Sequence, residues 1–404
     1  MAACSERLQR VLAVALPVRD ILERRVDDAV VPTWCETRGW APFLGSLDET
    51  TLREGEAHGL AALLPNLRDA PRDLQALAND VTAVTALPML AGAVRLEQES
   101  LRSVRLRKRA QLSGLLSAVA SMAEAAERIV DVGAGSGHFT RLSAELFQRQ
   151  AVGLEQNPAR VASARARSDE GGRATFVTVD ARDALRLTGT DLAIGLHACG
   201  ELGDHLVEAA AQARCDLALV SCCLQKISSP ARSSLSTPAA GLTLRREHLG
   251  LTNLTAQPQG VEASIGVTIA ARQTRYALGQ LLRARDLTLE PGAEMSGINR
   301  RRANAGLRVV AERALALRNL PPPSDAEVAH FEAVAVQAYG VIRRLSLPRS
   351  MLARLIEVLV SLDRAVHLEE RGLDVEVATL FERAVSPRNI GIFASRSAKR
   401  LPAA

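Results

Sequence analysis

Arg128-Ile129-Val130-Asp131-Val132-Gly133-Ala134-Gly135-Ser136-Gly137 is the stretch on which the fold turns. A short β-rich run ends at three alternating glycines, and a helix-length segment opens near His138. Strand, glycine turn and helix in that order open a parallel α/β unit. Glycine takes positive φ without strain and lets the backbone approach a ligand. Open α/β sheets bind nucleotides at such a turn, beyond the strand's carboxyl end. The same turn also serves as a plain packing device, so its meaning rests on the strands downstream of it.

Further apolar runs occur at Ala151–Glu155, Thr175–Val179, Leu192–Leu196 and Leu217–Ser221, separated by helix-length segments. With Ile129–Val132 they make five strands between about 126 and 225, the alternation expected of a parallel sheet. Two of these runs end in acids. Glu155 closes the second, at roughly the ~20-residue distance where an acid meets ribose hydroxyls. Asp180, followed by Ala181, ends the third, placed to accept from an adenine amino group. Asp131 precedes the turn, as a loop cap or as the acid facing an ammonium. Gly133, Gly135 and Gly137 are spaced G-x-G-x-G, and His138 stands where a dinucleotide turn needs its third glycine to admit a pyrophosphate. The set therefore favours a nucleoside ligand without bridging phosphates, and S-adenosylmethionine is the expected cofactor.

On either side the pattern changes. Residues 1–125 read as a helical N-terminal region, with apolar residues at helical spacing in Leu8-Val11-Leu12-Ala15 and Leu60-Leu63-Leu64-Leu67. Residues 226–348 turn Ser/Pro-rich and then helical, with Pro321-Pro322-Pro323 as a rigid joint. Residues 349–404 carry an apolar helix over about Met351–Glu370 and two closing strands, Val375–Phe381 and Asn389–Ala394. The fold class is thus α/β. Seven strands in this order match a class I methyltransferase, Rossmann-like sheet, with 126–225 as the cofactor-binding core and 226–348 as a mainly helical insertion after the fifth strand.

Composition sets limits. Of 404 residues 47% are apolar and 24% charged, a globular balance rather than a disordered one. Aromatic residues are 3%, so base-stacking platforms are scarce. No apolar run approaches the ~20 residues of a membrane span. Six cysteines lack extracellular disulfide spacing and the start lacks a signal peptide, so a cytoplasmic chain with reduced thiols is expected. A net charge of +5 tolerates RNA as a partner without demanding it. Arg102, Arg105, Arg107, Lys108 and Arg109 form one basic cluster, and Arg300-Arg301-Arg302 with Arg308 a second. Only three of 50 basic residues are lysines, so these clusters also read as ordinary solvated helix faces.

The reactive face should lie at the end of the fourth strand, Ile194-Gly195-Leu196-His197-Ala198-Cys199-Gly200. A neutral His197 imidazole could take a proton from an attacking oxygen or nitrogen, orient the acceptor, or simply be structural. The Asn/Asp-Pro-Pro-aromatic motif of exocyclic-amine methylation is absent here. The fifth strand ends as Val220-Ser221-Cys222-Cys223-Leu224-Gln225-Lys226, which leaves three chemistries open. His197, Cys199, Cys222 and Cys223 offer zinc donors, although adjacent cysteines on a strand point to opposite sides and no Cys-x-x-Cys spacing occurs; no metal is therefore expected. A cysteine on each strand could serve covalent attack on a pyrimidine. Lys226 could act as an amine base if desolvated.

The segments DVGAGSGHFTR (131–141), GLHACGEL (195–202), VSCCLQK (220–226) and AVSPRNIGIFA (384–394) resemble the methyltransferase-like family named for a ribosomal-RNA adenine dimethylase domain. Arg107-Lys108-Arg109-Ala110-Gln111 is similar to that family's basic approach segment. The His-x-Cys-Gly and Cys-Cys pair is also similar to tRNA ribose 2′-O-methyltransferases, whose zinc fingers and Cys-Cys-His-His pattern this chain lacks. The resemblance spans roughly 100–230 and 350–395 and implies a SAM-dependent methyltransferase acting on tRNA or rRNA. Protein or small-molecule methylation, or a non-catalytic SAM-binding scaffold, are the alternatives.

Overall fold

The structure, a computed structural model, describes residues 3–403 apart from 24, 91, 93–103, 105, 169–170, 197, 255–261, 291 and 384. His197, Arg102 and Arg105 thus lie outside the described residues, as does the side chain of Arg107.

A seven-stranded sheet organises the first of two compact units, residues 1–19, 79–258 and 352–404. Its strands are β1 (Arg128–Val132), β2 (Gln150–Glu155), β3 (Ala174–Thr178), β4 (Asp191–Leu196) and β5 (Asp216–Val220). A small antiparallel pair comes next, β6 (Ala231–Ser233) and β7 (Thr243–Arg245), and then β8 (Asp374–Thr379) and β9 (Ile390–Ser395). The sheet order is β3-β2-β1-β4-β5-β9-β8. Five strands are parallel and β9 runs antiparallel to both β5 and β8. Because β1 lies between β2 and β4, the chain reverses its direction of travel at β1. The crevice beyond the carboxyl ends of β1 and β4 is the switch point where this architecture places ligands.

Full burial of β4 and β5 explains why they read as unbroken apolar runs, whereas edge strand β3 exposes Val177. One face of the sheet packs Ile129, Ile194, Ala218 and Phe393 against Leu112, Leu115, Leu116 and Met122 from the helices before β1. The helix Ala353–Glu369 packs with the first helix, Ala3–Ala15, and with β8.

Each parallel strand begins one residue earlier than apolarity alone indicates. The reason is electrostatic for two of them: Arg128 opens β1 and Asp191 opens β4, and the neighbours form a two-pronged ion pair at 2.8 and 2.7 Å.

The second unit, residues 20–78 and 259–351, has its own core of Leu278, Leu281, Leu282, Val310 and Leu315. Buried Arg343, on the helix Asp325–Met351, reaches Glu49 at 3.0 Å and Glu56 at 2.7 Å. Pro321-Pro322-Pro323 lies between that helix and the preceding Leu307–Ala316. Among the described residues no helix is long and apolar enough to cross a membrane.

Candidate active site

The glycine turn is braced from β2. The amides of Gly133 and Ala134 both donate to the Leu154 carbonyl, at 2.8 and 3.0 Å. Gly133 and Gly135 have φ of 77° and 59°, and a Cβ added at either meets nothing nearer than 3.9 Å. Bare backbone thus faces open space. Gly137 is glycine for another reason: with φ of 73°, its added Cβ would run into the Phe176 ring of β3. It packs the turn against the sheet.

Glu155 is buried, and its carboxylate bends back onto the turn, accepting from the Gly135 amide at 3.0 Å and from the Asn157 amide at 3.0 Å. Each oxygen keeps an acceptor site. Asp131 is buried at the end of β1 and accepts from the Thr140 hydroxyl at 2.6 Å, tying the strand to the helix His138–Phe147. Burial raises its pKa to about 6 against the pull of the Thr140 bond and of the Lys108 charge. Asp180 caps the short helix Ala181–Ala184. The Arg182 guanidinium holds its pKa down, at about 2, and Arg182 Nε lies 3.0 Å from Oδ1. Ala181 beside it is buried. Two carboxylates beside open turn backbone fit a ligand carrying an ammonium and a ribose diol.

The β4 and β5 ends are locked together by Gly200 and Arg364. Gly200 adopts φ 51° and ψ −121°, and a Cβ there would overlap the Lys226 carbonyl oxygen. That carbonyl accepts from the Glu201 amide at 3.0 Å. Arg364 is fully buried and donates to the Gly200 carbonyl at 2.8 Å, to Ser221 Oγ at 2.6 Å and to Asp204 Oδ1 at 2.8 Å. Burial would push Asp204 upward, yet Arg364 and Arg232 hold it below the usual carboxylate range. Arg232 also reaches Asp363 at 2.8 Å, completing a buried quartet of two arginines and two aspartates. Removing one partner of such a network costs about 3–5 kcal/mol. Arg364→Met should therefore lose about that much stability by denaturant unfolding, whereas a change within about 0.5 kcal/mol would mark the quartet as incidental.

Three expectations about this face need correction: diverging cysteines, reduced thiols throughout, and an amine base at Lys226. Adjacent Cys222 and Cys223 do not diverge: both lie beyond β5, which ends at Val220, so strand alternation no longer governs them. Their sulfurs and that of Cys199 all lie within 4.8 Å of one another. Cys199 and Cys222 are paired as a disulfide. Lys226 is exposed, so the desolvation that an amine base requires is missing. What it supplies to the site is its backbone carbonyl.

Three residues are not assigned to this site from sequence alone, although Lys108 stands out there as part of a basic cluster. Thr140 is legible only once Asp131 is known to face its helix. Lys108 is partly buried, with its charge felt at Asp131. Arg364 carried a signal: Asp363-Arg364 interrupts the apolar run Leu359-Val360-Ser361-Leu362, and such a charge inside a buried helix demands a partner.

Sheet order, glycine turn and acidic strand ends together define the class I methyltransferase fold. Residues 107–230 match a family model described as a methyltransferase domain. This segment is therefore similar to a methyltransferase domain over about a third of the chain. The chain is also similar to glutathione S-transferase C-terminal domain-containing proteins. The human protein is 29% identical over 137 residues, 33% of this chain and 22% of its own length. The Drosophila melanogaster homolog is 31% identical over 118 residues, 29% of this chain and 20% of its own. The chain thus spans about a fifth of the length of these curated relatives. Among solved structures, a sugar N-methyltransferase from Streptoalloteichus shares 18% identity over 33% of this chain and 57% of its own, with a TM-score of 0.25. The magnesium protoporphyrin IX methyltransferase of Synechocystis, with bound SAH, shares 19% over 32% and 61%, with a TM-score of 0.24.

Proposed function

We propose that the whole chain is an S-adenosylmethionine-dependent methyltransferase acting on RNA, either tRNA or rRNA. The observation that carries the activity is the open glycine turn with the Glu155 carboxylate folded onto the Gly135 amide. In this reading Asp131 meets the methionine ammonium, Glu155 the ribose hydroxyls, and Asp180 with Ala181 the adenine. Gly133 and Gly135 give the bare backbone these contacts need, and Gly137 holds their turn. The cofactor supplies an electrophilic methyl group on sulfonium. Residues from the β4 and β5 ends receive the acceptor: His197 takes its proton, and Cys199, Cys222, Cys223 and the Lys226 carbonyl shape the floor.

RNA is favoured by the net charge of +5 and by Arg300, Arg301 and Arg302, consecutive and all exposed. Incubation with methyl-labelled S-adenosylmethionine and cell fractions lacking the gene decides the acceptor. Label that nuclease releases supports RNA. Label that survives nuclease and yields to protease, or that enters only small molecules, overturns it.

Cofactor binding should depend on pH with a defined sign. Buried Asp131 titrates near 6, and only its ionised form can pair with an ammonium. Affinity should be flat above pH 7 and fall on acidification through 6, approaching about tenfold per further pH unit. Asp131→Asn should bind weakly at every pH with that dependence removed. A wild-type affinity unchanged between pH 7 and 5 would take Asp131 out of the cofactor site.

A further inference from the structure

Three of the chain's six cysteines meet at one point of the sheet's carboxyl edge. The Cys199, Cys222 and Cys223 sulfurs lie within 4.8 Å of one another, and none of the three residues is fully exposed. Cys4, Cys35 and Cys215 are instead buried as free thiols.

The meeting point is built rather than casual. Cys199 immediately precedes Gly200, and Cys222 comes immediately after Ser221; Arg364 grips both neighbours from within the core, at 2.8 and 2.6 Å. On the far side the Glu201 amide closes onto Lys226 at 3.0 Å. The two loops are therefore fixed on both flanks of the sulfurs, with the Cys199 and Cys222 Cα atoms 5.3 Å apart. A disulfide employs two of the sulfurs and leaves Cys223 beside them without a task. Three thiolates around one tetrahedral ion employ all three: zinc–sulfur bonds of about 2.3 Å set the sulfurs roughly 3.8 Å apart.

We propose that Cys199, Cys222 and Cys223 form a three-thiolate site for a zinc-class divalent cation. A small dithiol first reduces the Cys199–Cys222 bond: it gives up two electrons and two protons, becomes a cyclic disulfide, and leaves two thiols. The cation then forms three metal–sulfur bonds, displaces its own water ligands, and releases three thiol protons to solvent. The fourth position takes a water or an incoming donor, the coordination of an open site rather than a closed structural one.

The test uses the full chain without cofactor, so it stands apart from the methyltransferase reading. The protein is reduced with a dithiol, desalted under anaerobic conditions and titrated with cobalt(II), then with zinc. The expected result is a thiolate-to-cobalt charge-transfer band that saturates at one equivalent and is bleached by one equivalent of zinc. Cys223→Ala, on a partly exposed loop, should lose about a third of the band and weaken binding at least about tenfold. Cys35→Ala should leave both unchanged. Circular dichroism confirms that each variant is folded. Absence of the band in the reduced wild type, its persistence unchanged in folded Cys223→Ala, or a Cys199–Cys222 bond that resists reduction in the folded chain would each overturn the site.

Discussion

Gly200→Ala is expected to cost about 2–6 kcal/mol of stability, from backbone strain and from a methyl forced into a packed carbonyl. The residue holds φ 51° and ψ −121°, a combination that side chains do not tolerate, and the Lys226 oxygen occupies the space a Cβ needs. Relief requires the loop after β4 to move away from the loop after β5. That motion breaks the Arg364–Gly200 bond and displaces the floor on which an acceptor would sit. A misplacement of 1 Å in a reacting site costs on the order of 100-fold in rate. Whatever fraction remains folded should therefore turn over at least about that much more slowly. Denaturant unfolding together with methyl transfer per folded molecule checks this. A variant with wild-type stability and rate would mean that the two loops are not coupled.

Gly135→Val should act on ligand binding rather than on folding. At φ 59° a β-branched residue is strained by about 1–2 kcal/mol. Among the described residues an added Cβ there meets nothing nearer than 3.9 Å, so the core is spared. The same side chain covers the backbone a nucleoside must approach and disturbs the Gly135 amide that orients Glu155. Cofactor affinity should fall at least about 100-fold, roughly 2.8 kcal/mol and so at the upper end of the ~1.5–3 kcal/mol of one charge-assisted hydrogen bond. Calorimetry with S-adenosylhomocysteine reads the loss, and an affinity within threefold of wild type would refute the role of the turn.

The sheet was legible because burial on both faces makes β4 and β5 plain apolar runs, and because glycine and acids mark the carboxyl ends of β1 to β3. Polar strand starts were less so: Arg128 and Asp191 look like loop residues until the strands are placed side by side. The β6–β7 pair was hidden for a related reason. Each strand has three residues, too few for periodicity to register among serines, threonines and arginines.

Within the site, the direction of Glu155 was implied by its position at a strand end, and the turn's openness by its glycines. Gly137 could not be separated from Gly133 and Gly135 by sequence, since its reason, Phe176, lies 39 positions away across β2. Sequence position places the thiols at neighbouring strand ends, but the divergence expected of Cys222 and Cys223 is a strand rule carried two and three residues past β5. Alternation holds along a strand, and Cys222 and Cys223 lie past its end. Arg364 acts from a helix 160 residues beyond the aspartate it pairs with, a separation no local pattern spans.

In the proposed reading the β1 turn and the β2 acid together enclose the adenosyl ligand. Calorimetric titration of the wild-type chain with S-adenosylmethionine, run beside Glu155→Ala, tests it most directly. One binding site per chain in the wild type, weakened at least about tenfold in the variant, is the result this site requires. Equal affinity in both proteins, or no heat of binding in the folded wild type, would contradict it.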